Sequence, residues 1–263
     1  MMTFNNIEKL KEENTIKIRQ FFLDYLDRVN YKGTFGVAKF SSVYNDLMPV
    51  QQDNVKNKLK ERFLDFMNTG SIISIGIFYA PDIIDCINVN RNDIIDLNRW
   101  NLYSDEYQHI NDMLKVISKN IADEFNGIAY TPTTGTPSEQ IKNVKDYYYK
   151  TISHRLVAEY AGVGWRGKSE LIITEEKGPT IRFTSILINI PMIQGLKLES
   201  KCGECTACLE VCPILKNKEF LEDYRENCRK FLINLGLKHE VCGKCIKACF
   251  RESIYKRNFK AKL

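Results

Sequence analysis

The sequence lacks any long apolar segment and any recognisable export signal. No stretch approaches the roughly 18 apolar residues that a membrane-spanning helix requires. The N-terminal residues, MMTFNNIEKLKEEN, are polar and do not resemble a secretory signal. Apolar residues make up 44% of the chain and charged residues 27%, values typical of a globular protein with a core. We therefore expect a soluble, cytoplasmic protein with no membrane partner.

Histidine is scarce and the charge imbalance is small, so neither indicates a function. The chain has three histidines and a formal net charge of +5. Only His154, which precedes a glycine-rich bend, is a candidate site residue. The C-terminal segment RESIYKRNFKAKL (251–263) is basic and fits either a phosphate contact or a solvated chain end.

Cysteine is abundant, and eight of the nine cysteines fall within the last 62 residues. A disulfide framework would need an exported chain, so this density predicts metal binding. The remaining cysteine, Cys86, is interpreted as a buried or half-buried thiol. The eight clustered cysteines are Cys202, Cys205, Cys208, Cys212, Cys228, Cys242, Cys245 and Cys249.

The spacing of the first four cysteines, C-x2-C-x2-C-x3-C-P, matches the run that holds [4Fe–4S] clusters in bacterial ferredoxins. In that run the fourth cysteine binds the other cluster, so the two groups exchange one ligand each. We predict one cluster on Cys202, Cys205, Cys208 and Cys249, and a second on Cys212, Cys228, Cys242 and Cys245. A pair of zinc sites is the alternative, because C-x2-C pairs also bind zinc.

The rest of the chain predicts an α/β fold. Helical spacing covers Ile7–Val29, 54–68, 104–125 with Ser104 as its cap, and 143–161, while 34–40 and the apolar run SIISIGIFYA (71–80) are typical of strands. LIIT (171–174) and IRFTSILINI (181–190) are expected to pair as a hairpin. We predict an α/β sandwich over residues 1–199 and a ferredoxin-like module with two [4Fe–4S] clusters over 200–263.

The segment AEYAGVGWRGKSELII (158–173) places three glycines between a helix and a strand. Glycines at such a bend would let the backbone pass close to a flat ligand, on which Trp165 could stack and which Arg166 and Lys168 could meet through an anionic group. The alternative is a helix C-cap followed by a turn into a strand.

This segment resembles the A-x-x-A-G-L-G-W-x-G-K-x-x-L-I signature of epoxyqueuosine reductases, and the cysteine module follows it as in that family. SIISIGIFYA and YSDEYQHINDMLKVISKNI (103–121) are similar to further family segments. The family is related to reductive dehalogenases and uses cobalamin and two [4Fe–4S] clusters to remove an epoxide oxygen, which produces queuosine in tRNA. The resemblance implies a corrinoid beside Gly162, Gly164, Trp165, Gly167 and Lys168, a tRNA substrate, and an electron donor such as ferredoxin or flavodoxin.

Two departures from the family leave two functional hypotheses open. The family's D-Y-H triplet is Glu106-Tyr107-Gln108 here, and Tyr148 aligns with its proton-donating aspartate, with Asp146 nearby. Asp146 and Tyr148 are therefore candidate catalytic residues, although the tyrosines around them equally fit a packing face. One hypothesis is an epoxyqueuosine reductase-like enzyme. The other is an electron-transfer or interaction protein that kept the scaffold and lost the corrinoid chemistry.

Overall fold

The computed structural model describes residues 4–88, 94–133 and 136–252. The strands are β1 (Gly33–Lys39), β2 (Ser71–Phe78), β3 (Ile128–Tyr130), β4 (Trp165–Arg166), β5 (Ile172–Ile173) and β6 (Ile181–Ile188). The helices are α1 (Phe4–Val29), α2 (Phe40–Asn45), α3 (Pro49–Leu59), α4 (Phe63–Thr69), α5 (Pro81–Asp85), α6 (Leu97–Glu124), α7 (Pro137–Gln140), α8 (Lys145–Tyr148), α9 (His154–Tyr160), α10 (Ala207–Glu210), α11 (Pro213–Lys216), α12 (Tyr224–Asn234) and α13 (Lys244–Phe250). Short 3-10 turns cover Lys60–Arg62 and Lys218–Phe220.

The predicted basic tail beyond residue 252 lies outside the described residues. Within the described ranges, no helix combines the length and the apolar character that crossing a bilayer needs.

The central feature of the fold is an antiparallel sheet with the strand order β1-β2-β6-β3. Every residue of β2 is buried, because helices cover both faces of the sheet. Side chains alternate along a strand, so Ile73 and Ile75 pack with α1 and α6 while Ile72 packs with α2, α3, α4 and α9. The predictions of a mixed helix-and-sheet fold and of a buried strand at 71–80 are confirmed.

The cysteine-rich part shares a core with the sheet layer. Its apolar residues Leu235, Leu237, Val241, Ile246 and Phe250 belong to the same buried cluster as the inner face of α6. Polar contacts add to this packing, since the Lys247 ammonium donates to the Asp85 carbonyl oxygen at 3.2 Å. The division of the chain at residue 200, and the ferredoxin-like character of the second part, stay predictions.

The predicted hairpin of 171–174 with 181–190 is wrong. β5 pairs instead with β4, placing Trp165 opposite Ile173, while β6 pairs with β2 and β3. The turn between β4 and β5 contains Glu170 at φ 63°, a left-handed conformation that a non-glycine residue rarely adopts. The long apolar strand β6 gains more by entering the centre of the sheet, where both of its faces are buried.

Three predicted helices have different bounds in the structure. The helix over 54–68 is α3 and α4, interrupted where Lys60 has φ 49°. α6 begins before Ser104, because the Asp96 carboxylate caps it by accepting from the Arg99 amide at 3.2 Å. The helix over 143–161 is split into α8 and α9, and the Ser153 hydroxyl caps α9. In each case a cap or a left-handed residue overrides the apolar spacing.

His154 forms a buried polar link between α9 and the sheet. Its Nδ1 lies 2.9 Å from the Ser185 hydroxyl on β6, and its Nε2 lies 2.9 Å from the Thr131 carbonyl oxygen. Burial lowers the pKa of His154 from its ordinary value of 6.5 to about 4. Between these two pH values the folded chain binds fewer protons than the unfolded chain, so stability falls as the pH drops through this window.

We expect His154→Gln to flatten the dependence of thermal stability on pH between 6.5 and 5. The variant removes a contribution of up to about 1.4 kcal/mol per pH unit, because it has no imidazole to protonate on unfolding. Melting temperatures measured across this range check the prediction, with His109→Gln on the exposed surface of α6 as the matched control. A variant that keeps the parent's slope would contradict it.

Candidate metal centre and glycine segment

Tight turns and short helices position the clustered cysteines. The first turn closes where the Cys205 amide donates to the Cys202 carbonyl oxygen at 3.0 Å, with Gly203 at φ 49° between them. Cys208 lies on α10, and Cys212 precedes the proline that begins α11. The remaining clustered cysteines lie on α12 and α13 or in the loop between them. α10 packs against α13, and α11 packs against α12, so the two cysteine runs face each other.

The clustered thiols lie close enough to act on one another electrostatically. Burial raises the pKa of Cys208, and the neighbouring Cys202 and Cys205 raise it further. Burial also raises the pKa of Cys245, and the neighbouring Cys242, Cys228, Cys212 and Cys208 raise it further. The pKa of Cys242 rises to about 12 for the same reason, and Cys228 and Cys212 act on it. The neighbours of Cys208 and of Cys242 belong to separate predicted ligand groups, whereas Cys245 has neighbours from both. Cys249 lies one helical turn beyond Cys245 on α13.

Cationic side chains lie near both sets. Lys168 lowers the pKa of Cys208, and Arg155 lowers the pKa of Cys228, in each case against the larger effect of burial. Among the described residues no three acidic, histidine or cysteine side chains converge as tightly as ligands of a single ion. A [4Fe–4S] core carries its four thiolates at separate corners, so its ligands lie further apart than those of one ion. Sulfur donors in groups beside cations fit such anionic clusters.

The glycines of the 158–173 segment are packed against the chain itself. A Cβ atom on Gly162 would lie 2.6 Å from the Leu196 carbonyl oxygen, and one on Gly164 would lie 2.4 Å from the Ile173 carbonyl oxygen. Gly162 also has φ 68°, which a glycine adopts without strain. The indole of Trp165 is buried, with 2% of the residue exposed. The segment therefore forms a bend, and in this conformation its glycines and indole do not present a surface that fits a corrinoid.

Gly167 and Lys168 contact the first cysteine turn. A Cβ atom on Gly167 would lie 3.5 Å from the Cys202 Sγ, and the Lys168 ammonium donates to the Gly203 carbonyl oxygen at 2.7 Å. The glycine segment and the predicted cluster ligands are thus neighbours, as the sequence predicts, but they meet through direct contacts.

Asp146 and Tyr148 lie on α8 and are both engaged in local contacts. The Asp146 carboxylate accepts from the Lys142 and Asn143 amides at 2.8 and 2.9 Å. The Tyr148 hydroxyl accepts from Arg225 Nη1 at 3.4 Å. The arrangement gives Asp146 a capping role and places Tyr148 beside α12.

A polar cavity of about 270 Å³ lies between α6, the segment after β3, and α8. Its size suits a small polar molecule and is below the usual range of drug-sized ligand pockets. Gln108, which replaces the family's histidine, is on its wall. The other lining residues are Asn111, Asp112, Lys115, Thr131, Pro132, Thr133, Gln140, Tyr147, Lys150 and Thr151.

Sequence reasoning missed Arg182, which supports one wall of this cavity. Its guanidinium carbon lies 4.0 Å from the Tyr107 ring centroid, and it donates to the Tyr107 hydroxyl at 2.8 Å and the Asn111 amide oxygen at 3.2 Å. Within the described residues it forms no ion pair with a carboxylate. The signal was present, because a lone arginine inside the apolar strand IRFTSILI requires polar partners.

The molecule is a mixed helix-and-sheet protein with a cysteine-rich C-terminal part, and comparisons with known proteins narrow this class. No known protein-family profile matches the chain. It is 30% identical over 124 residues to an epoxyqueuosine reductase of Aliivibrio fischeri, covering 46% of this chain and 30% of that protein. It is 36% identical over 127 residues to one of Bacillus cereus, covering 41% and 33%, and 34% identical over 89 residues to one of Escherichia coli, covering 34% and 23%.

The chain is therefore a relative of the epoxyqueuosine reductases, and the resemblance to that family stated from the sequence is confirmed. It spans about a quarter to a third of the length of these three curated relatives. The solved epoxyqueuosine reductase of Streptococcus thermophilus superposes with a TM-score of 0.48 at 16% identity, covering 92% of this chain and 66% of that one. Another, solved with an epoxyqueuosine-modified tRNA stem loop, has a TM-score of 0.41 at 18% identity and covers 75% and 53%. Neither likeness is strong enough to define the fold.

We expect Gly162→Ala to destabilise the protein more than Gly236→Ala. Both glycines have positive φ, 68° and 71°, so both substitutions carry backbone strain of about 1–3 kcal/mol. Only the Cβ at residue 162 meets backbone, since nothing lies within 4 Å of a Cβ at 236. Thermal melting of the two variants checks this, and equal losses would show that the packing against Leu196 is unimportant.

Proposed function

We propose that this protein is an iron–sulfur redox protein that passes single electrons through two [4Fe–4S] clusters. The observation that carries the proposal is the ferredoxin-like spacing of the cysteines, together with the packing of α10 against α13 and of α11 against α12, which brings the two cysteine runs face to face. Kinship with a family of redox enzymes supports it. The first test is the iron content of the protein, because it distinguishes iron–sulfur clusters from zinc sites.

The eight thiols would hold the clusters as the spacing indicates. Cys202, Cys205, Cys208 and Cys249 would hold the first cluster. Cys212, Cys228, Cys242 and Cys245 would hold the second. Each cluster, when bound, would carry one electron at a time. Because every iron would have a protein thiolate, no coordination position is left open for a substrate, and the chain's role at these sites is to bind, bury and tune the clusters.

Anaerobically purified protein should contain roughly eight irons and eight sulfides per chain. Cys245→Ser and Cys249→Ser change neighbouring turns of one helix, yet each should remove iron from a different cluster, because the two cysteines belong to different ligand groups. Iron analysis with electron paramagnetic resonance of the reduced protein distinguishes the two. Cys86→Ser is the matched control and should retain all the iron. A colourless, zinc-loaded preparation would overturn the proposal.

The electrons could pass to one of two acceptors, one suggested by the related enzymes and the other by the structure. As an epoxyqueuosine reductase-like enzyme, the chain would deliver them to a corrinoid and an epoxide in tRNA, with Asp146 or Tyr148 as proton donor. A relative solved with a modified tRNA stem loop is consistent with a tRNA substrate in that family. Ferredoxin or flavodoxin would supply the electrons.

The second candidate is an electron-transfer protein without corrinoid chemistry, and a specific observation favours it. The residues assigned to the corrinoid are occupied by internal packing: the glycines meet Leu196 and Ile173, and Trp165 is buried. The proton-donor candidates are bonded to backbone amides and to Arg225. On this hypothesis the electrons pass to a protein partner.

Cobalamin binding separates the two hypotheses. The structure leads us to expect that cobalamin well above micromolar concentration leaves the visible spectrum and the melting temperature of the holo protein unchanged, while its clusters remain reducible. The epoxyqueuosine reductase of Escherichia coli serves as the positive control. A spectral change with a raised melting temperature, or conversion of an epoxyqueuosine-containing tRNA, would establish the reductase hypothesis instead.

A further inference from the structure

We propose that Lys168 is a positioning residue for the cluster held by Cys202, Cys205, Cys208 and Cys249, where it fixes the first cysteine turn and raises the reduction potential of that cluster. The inference rests on the proposed function, since it assumes that the clusters are present. It assigns to the C-terminal end of the glycine bend a role toward iron and sulfur instead of toward a corrinoid.

The contact geometry comes from the turn between β4 and β5. This turn is closed by two backbone hydrogen bonds of 2.9 Å, from the Gly167 amide to the Leu171 carbonyl oxygen and from the Glu170 amide to the Gly167 carbonyl oxygen. A turn held in this way presents Lys168 in a defined direction. Its ammonium reaches across to the Gly203 carbonyl oxygen at 2.7 Å.

Gly203, whose carbonyl oxygen accepts this hydrogen bond, lies inside the first cysteine turn. It has φ 49° and stands between Cys202 and Cys205, and nothing lies within 4 Å of its Cβ position. The turn around it is otherwise closed by one hydrogen bond, from the Cys205 amide to the Cys202 carbonyl oxygen. A Cβ atom built on Gly167 would lie 3.5 Å from the Cys202 Sγ, so the two turns lie side by side. The β4–β5 turn is therefore joined to the cysteine turn by a charged hydrogen bond at close range.

The charge of Lys168 is not offset by an ion pair. Within the described residues it has no carboxylate partner, whereas Lys201, which directly precedes the turn, pairs with Glu175. A cation close to a cluster stabilises the reduced state, which carries one more negative charge than the oxidised state. Removing the charge should therefore lower the reduction potential of the nearer cluster and leave the more distant one unchanged.

The test is a redox titration of the holo protein, followed by electron paramagnetic resonance, for Lys168→Met, Lys168→Arg and Lys119→Met. Lys119 is 71% exposed on α6 and controls for a general loss of positive charge. We expect Lys168→Met to shift the midpoint of one cluster to a more negative value, and Lys168→Arg and Lys119→Met to keep both parental midpoints. Loss of iron from one cluster in Lys168→Met, restored by Lys168→Arg, supports the same role through the turn.

Two results would overturn the inference while leaving the proposed function intact. The first is a Lys168→Met protein with eight irons and both midpoints unchanged. The second is an equal change in Lys168→Met and Lys168→Arg, which would mean that neither the charge nor the hydrogen bond matters. Parental protein without iron would instead refute the proposed function, and this inference with it.

Discussion

The close approach of backbone segments beside Ala161 is the constraint on which the rest of the structure depends. Cβ atoms on Gly36 and Gly195 would lie 2.6 and 2.1 Å from the Ala161 carbonyl oxygen, so the strand β1 and the linker after β6 both pass against the end of α9. The Gly195 amide also donates to the Val37 carbonyl oxygen at 2.8 Å. Because side chains are missing here, the linker can run along the sheet layer and deliver Cys202 to Gly167. A methyl group at this crossing would displace the path to the first cluster ligand.

Charged side chains also connect the sheet layer with the cysteine-rich part. Buried anions are costly unless cations or hydrogen bonds lie near them. Lys168 acts on the first set of thiols and Arg155, on α9, acts on the second, so the sheet layer supplies a cation to each. Arg155 in turn donates to the Glu170 carbonyl oxygen at 2.6 Å, and the Glu170 carboxylate accepts from Lys218 at 2.8 Å. The sheet layer is thus part of the electrostatic surroundings of the cysteines.

The sequence predicted secondary structure correctly where one strong local signal was present. The apolar run of β2 and the apolar face of α6 have a periodicity that tertiary contacts do not reverse, while the ligand roles predicted from the cysteine spacing stay predictions. The hairpin prediction failed because β6 could pair either with its neighbour in sequence, β5, or with strands at the centre of the sheet. Pairing at the centre buries more of the apolar side chains of β6. The glycine segment was ambiguous because the partners of its glycines, such as Leu196, are distant in sequence. Only three-dimensional packing shows whether a missing side chain admits a ligand or another part of the chain.

The contacts around α8 bear on which chemistry this scaffold can support. Asp146 is used to cap the turn at residues 142–143, and the same turn is held from α12 by Glu226, which accepts from the Val144 amide at 2.8 Å. Arg229 fixes that carboxylate and lowers its pKa, and it also donates to the Lys142 carbonyl oxygen at 2.8 Å. A proton donor must reach its substrate, so using Asp146 in this way would require breaking its two backbone hydrogen bonds, in a turn that Glu226 and Arg229 also hold. The proposed electron transfer needs no such rearrangement of α8. The reductase hypothesis therefore carries the free-energy cost of breaking these contacts. Under that hypothesis, binding of the substrate must supply the energy that moves α8.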